Sequence, residues 1–103
     1  MQSGRTTAVF WQQRSAAEQL VLLEQDVVKL VAQGTLSSSQ GNALLAKLRA
    51  AEQQIARGNT TAARNQIEAF IHQVQAFVQA GTLTADQGAA LIGAAEGVLE
   101  ALG

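Results

Sequence analysis

The chain repeats itself. Shifted by 47 residues, VAQGTLSSSQGNALL at positions 31–45 lies over VQAGTLTADQGAALI at positions 78–92, with eight of 15 positions identical. The register continues on both sides. Leu20, Leu23, Val27 and Leu30 fall on Ile67, Phe70, Val74 and Phe77, while Leu48 and Ile55 fall on Ala95 and Leu102. Two similar segments favour the same local structure and bury the same face. Two copies are too few for a solenoid but enough to close on each other. The 103 residues therefore read as one domain with approximate two-fold symmetry.

The repeating unit is a helical hairpin. Apolar residues recur at helical spacing in four stripes. They are Leu20, Leu23, Val27, Leu30 and Val31; then Leu44, Leu45, Leu48, Ala51 and Ile55. The third holds Ile67, Phe70, Ile71, Val74, Phe77 and Val78, and the fourth Leu91, Ile92, Ala95, Val98, Leu99 and Leu102. No proline interrupts them. Glycine separates them: Gly34, Gly58 and Gly81 each close a helical pattern, and each is followed by a capping residue, Ser37, Asn59 or Thr60, and Thr84. Such a glycine ends a helix in the left-handed conformation, and the hydroxyl or amide oxygen caps the next one. Ser37 to Gln40 and Thr84 to Gln87 both fit the capping box S/T-x-x-Q. Four helices follow, over 38–57, 60–80 and 85–102, and first over 15–33 or 7–33. A third capping box, Ser15 to Glu18, favours the later start; the helical pattern running back through Val9 favours the earlier. Short loops make neighbours antiparallel. The fold class is all-α, an antiparallel four-helix bundle made of two pseudo-repeated helical hairpins. Leu36 and Leu83 are expected to plug the bundle ends. Gly41 and Gly88, one turn into their helices, suggest a need for space, either for a neighbouring backbone or for a loop leucine.

Chemistry is sparse. There is no cysteine, hence no disulfide, thiol nucleophile or thiolate metal site. The net charge of −1 gives no footprint for nucleic acid or an anionic membrane. Charge is unevenly placed: seven basic against four acidic residues through Arg64 leave net +3, and four acidic residues alone after it leave net −4. In a bundle these halves complement each other. The single histidine, His72, has Glu68 one turn away but no Ser or Asp placed to complete a triad, and reads as an exposed i,i+4 neighbour. Glu24 and Glu52 border core stripes and could approach each other. As a pair they would suit glycoside hydrolysis, but they are expected to be solvated charges flanking the core. Glu-x-x-His, calcium-loop and phosphate-loop patterns are all missing. Ala90, Ala94, Gly97 and Ala101 form a small-residue stripe on the last helix, suited to close helix approach or to a homodimer seam. No cofactor and no metal is implied, and the expectation is that the chain is not an enzyme.

Several motifs resemble a known family. They are the loop G-x-L-[ST] at Gly34 and again at Gly81, QGNALLAKL at Gln40 to Leu48, RGN-x-x-A at Arg57 to Ala62, and AF-x-x-x-V at Ala69 to Val74. In this order, across roughly 16–102, the chain resembles the bacterial FIMAH domain. The resemblance implies a non-catalytic accessory or spacer module, extracellular and near the C-terminus of a secreted multidomain bacterial protein, often beside hydrolase or carbohydrate-active modules. It implies no ligand and carries over no functional residues. Residues 1–14 fall outside the pattern and are assigned to an N-terminal extension or a vector-derived segment, with 15–103 as the single domain. Their one apolar cluster, Ala8 to Trp11, is too short for a signal-peptide core. The alternative reading is an engineered or excised helical binding scaffold.

The remaining feature is an excess of apolar residues on the first helix. Val21 and Val28 lie outside its core stripe, and their repeat mates are the polar Glu68 and Gln75. Leu22 points almost to the opposite face, and Phe10 and Trp11 precede them. Phe10, Trp11, Val21, Leu22 and Val28 are therefore the expected protein-contact residues. The competing reading is that the N-terminal segment packs over Val21 and Val28, or that these residues border the bundle interior. Expected partners are another protein or upstream domains of the same polypeptide, with a homodimer also open, and neither nucleic acid nor membrane.

Overall fold

The computed structural model describes residues 15–102. Four helices run along the chain: α1 Ala16–Ala32, α2 Ser38–Ala56, α3 Thr60–Gln79 and α4 Ala85–Leu102. There is no strand among the described residues. The helices form a closed ring, α1 beside α2, α2 beside α3, α3 beside α4 and α4 beside α1, around one shared core. This is an antiparallel four-helix bundle.

Each helix start has a local cause. Ser15 is extended and caps α1. Its Oγ accepts from the Glu18 N–H at 3.1 Å, and its own N–H donates to Glu18 Oε1 at 3.2 Å. Of the two starts the sequence allowed, the described residues give the later. Ser37 and Gln40 make the same reciprocal pair at the start of α2, at 3.1 and 2.9 Å. Thr84 and Gln87 make it at α4, both bonds 3.0 Å. The start of α3 differs. Asn59 occupies the cap position, but its side chain makes no capping bond. Instead its Nδ2 donates to Gln54 Oε1 at 3.1 Å, tying the loop back to the last turn of α2.

The helix ends are equally specific. Gly34 and Gly81 sit at φ +83° and +82°, the left-handed region where a Cβ costs energy. That turn lets the Gly34 N–H donate to Val31 O at 3.0 Å, and the Thr35 N–H to Leu30 O at 2.9 Å. The two bonds form a Schellman cap. Forty-seven residues on, Gly81 donates to Val78 O at 3.0 Å and Thr82 to Phe77 O at 2.9 Å. The next residue, Leu36 or Leu83, is then carried into the core, each only 2% exposed.

The core follows the four stripes. Leu20, Leu23, Val27, Leu44, Leu48, Ile67, Phe70, Val74 and Val98 are fully buried, and Leu30, Val31, Ile55, Ile71, Phe77, Val78, Ile92, Leu99 and Leu102 pack around them half-buried. Ala16, where the helical pattern runs back from the first stripe, and Ala63 are buried as well. They are repeat mates, and each enters the core one turn before its apolar stripe. The reason for Gly41 and Gly88 also differs from the expectation. Neither a backbone nor a loop leucine occupies the space. A Cβ on Gly41 would collide with Val31 Cγ2, and one on Gly88 with Val78 Cγ2. These valines are again repeat mates, and each belongs to the helix preceding its glycine.

Candidate functional site

The exposed large apolar side chains among the described residues are Val21 at 43%, Leu22 at 42% and Val28 at 52%. All three lie on α1. Phe10 and Trp11 lie outside the described residues. Val21 and Val28 are two turns apart on one side of the helix, and Leu22 stands round the face from them. Val28 also borders a shallow groove of about 240 Å³ between α1 and the start of α2, lined by Val31, Ala32, Ser38, Asn42 and Leu45. Across the helix, a second groove of about 270 Å³ lies between α1 and α4, lined by Asp26, Lys29, Leu30, Gln33, Gln87, Ala90 and Leu91. Helix α1 is thus flanked by two open depressions and carries apolar side chains outward. Among the described residues, the other large apolar side chains are buried or half-buried.

Between Val21 and Val28 sits Glu24, and here the expectation of a solvated charge fails. Glu24 is half-buried, and its Oε2 is closed to solvent with no hydrogen-bond donor at it. The Glu52 carboxyl, half-buried on α2, lies within hydrogen-bonding reach of the Glu24 side chain. Burial, the bond to Glu52 and the Glu52 charge push the Glu24 carboxyl up to about 7, and Arg49 offsets part of this. A carboxylate oxygen cannot donate, so two ionised groups at this separation only repel. A single proton between them makes the same contact a strong bond. The 47-residue register could have signalled the pair. Glu24 maps to Ile71 and Glu52 to Leu99, both packed against the core. The carboxyls therefore occupy positions built to be partly buried. Their side chains are hydrogen-bonding neighbours. Retaining and inverting glycosidases hold theirs about 5 Å or more apart, with substrate or water between.

The other candidates fall in ordinary places. His72 and Glu68 are both exposed on α3. The small-residue stripe of α4 straddles the seam with α1: Ala94 packs on the core, and Gly97 leaves room for Gln19, whose Oε1 would stand 3.0 Å from a Cβ there. Ala90 and Ala101 are exposed. No helix among the described residues is long and apolar enough to cross a membrane. No group of three or more His, Asp or Glu side chains among those residues is arranged to hold a metal ion.

Comparison with known proteins gives one match. The model of the family described as FIMAH domain matches residues 20–100, from the second turn of α1 to the last turn of α4. No curated protein and no solved structure matches.

Proposed function

The chain belongs to the FIMAH domain family, and on that premise we propose that it is a non-catalytic accessory and spacer module of a secreted bacterial protein, acting through protein–protein contacts. The observation that carries the contact reading is the placement of Val21, Leu22 and Val28 outward on a single helix. A bundle that needed only solubility would place polar residues there, as the second repeat does with Glu68 and Gln75. Each such side chain stabilises an interface by about 1.5–3 kcal/mol when fully buried, and a helix presents them on a rigid surface. Two supports favour a non-catalytic role. The Glu24 and Glu52 carboxyls are hydrogen-bonding neighbours, closer than the separation that glycosidases keep, and His72 is exposed on α3 with the exposed Glu68 one turn away.

The test uses methyl resonances. In the polypeptide that carries this module, the Val21, Leu22 and Val28 methyls should shift relative to the isolated chain. Val21→Gln with Leu22→Gln and Val28→Gln should remove the interaction while thermal stability stays nearly intact. Methyls that shift neither with neighbouring domains nor with the chain's own concentration would overturn the contact reading. Unfolding of the triple variant would assign these residues to the fold instead.

A further inference from the structure

The seam between α1 and α2 holds acid where the corresponding positions of the second hairpin hold hydrocarbon. Along α1 the sequence of seam positions is Val21, Glu24, Val28 and Val31; along α3 it is Glu68, Ile71, Gln75 and Val78. Polarity is inverted. The second hairpin puts polar residues outward and isoleucine inward, whereas the first puts valines outward and a carboxyl inward. On the facing helices Glu52 stands where α4 has Leu99. Glu24 Oε2 is shut off from solvent with no hydrogen-bond partner, and the Glu52 carboxyl lies within hydrogen-bonding reach of the Glu24 side chain. Nothing about a bundle requires this, since Ile71 and Leu99 show that aliphatic residues suit such positions.

We propose that Glu24 and Glu52 share one proton across the α1–α2 seam, and that the pair makes the first hairpin a pH-responsive latch, closed while the proton is held and loosened once both carboxyls ionise. The surrounding charges permit this. From α2 the charged groups acting on Glu24 are Glu52 and Arg49; none on α1 itself, on α4 or on α3 contributes among the described residues. Helix α3 lies diagonally across the ring from α1, and α4 meets α1 on its other flank, where Gln19 approaches Gly97. Arg49 is exposed, so water screens its offsetting charge.

The direction with pH follows from linkage. The folded chain holds the Glu24 proton up to about 7, whereas the unfolded chain releases it near an ordinary glutamate value of about 4.3. Between these values the folded state binds more protons, so stability falls as pH rises. The contribution is complete below the unfolded value and lost by the time pH passes the folded one.

Two measurements test the latch. The side-chain carboxyl carbon of Glu24 is followed by NMR from pH 3 to 9, with exposed Glu68 as the internal reference. It should titrate at least ten-fold lower in proton concentration than Glu68. Urea unfolding is then compared for the wild type and for Glu24→Gln, whose amide donates to Glu52 without titrating. The wild-type midpoint should fall between pH 5 and 8 relative to the variant, and the variant should be at least as stable at pH 8. Parallel stability curves, or coincident titration of Glu24 and Glu68, would overturn the proposal. If the variant fails to fold, the carbon titration alone decides.

Discussion

Single residues in this bundle carry opposite consequences at chemically identical sites. Replacing a mid-helix glycine with alanine normally stabilises by about 0.5–1 kcal/mol. Gly93 should behave so, since it is exposed on α4 and a Cβ there meets nothing within 4 Å. Gly41 and Gly88 should reverse the sign, because the new methyl collides with Val31 or Val78 and overpacking costs about 1–3 kcal/mol. Urea denaturation of the three alanine variants checks this, and Val31→Ala should restore much of what Gly41→Ala loses. Coincident losses at all three glycines would mean that the valine contacts do not matter. The recurrence of glycine at a 47-residue spacing made a packing reason legible from sequence. What filled the space was not legible, because spacing alone does not tell whether the loop leucine five residues earlier or the valine ten residues earlier, on the preceding helix, is carried against the glycine. Glu24 and Glu52 were visible as neighbours of the core stripes. Their partial burial was not, because hydropathy assigns a carboxyl to solvent, and only the aliphatic identity of Ile71 and Leu99 at the matched positions argues otherwise.

At the scale of the element, caps set the boundaries more firmly than the apolar stripes do. Three of the four helices begin with a reciprocal side-chain and backbone pair, and each was readable as S/T-x-x-E/Q. Ser37→Ala and Thr84→Ala should each cost about 1 kcal/mol, the usual value of a lost N-cap. Asn59→Ala should cost much less. Asparagine is among the best capping residues, and the sequence offered it as a cap, yet its amide bonds Gln54 on the preceding helix and its side chain makes no capping bond to α3. Chemical denaturation of these variants ranks them directly. An Asn59→Ala loss as large as that of Ser37→Ala would show that the cap, and not the loop tie, is what Asn59 supplies in solution. Exposed valines on α1 were equally legible, because the second copy shows what the same helix position looks like when it has only to meet water.

For the molecule as a whole, the ring of contacts determines what can stand alone. Each helix lies alongside two neighbours and shares one core with all the others. Cutting the loop after Arg57 keeps the α1–α2 and α3–α4 contacts but separates α2 from α3 and α1 from α4. Leu20, Leu23, Leu44 and Leu48 on one side, and Ile67, Phe70, Val74 and Val98 on the other, would then lose their cover. Each large apolar side chain returned to water costs about 1.5–3 kcal/mol, and a whole domain of this size is stable by about 5–15 kcal/mol. Two or three such exposures exhaust the margin of a hairpin. The separate peptides 15–57 and 59–102 should therefore show low helicity by circular dichroism at micromolar concentration, and an equimolar mixture should recover the helicity of the intact chain. Of the two, 59–102 should pair with itself more readily, because Ile71 and Leu99 stand where its counterpart has Glu24 and Glu52. Sedimentation equilibrium of each peptide measures that preference. Full helicity of either peptide as a monomer would show that a hairpin, and not the four-helix ring, is the unit that folds.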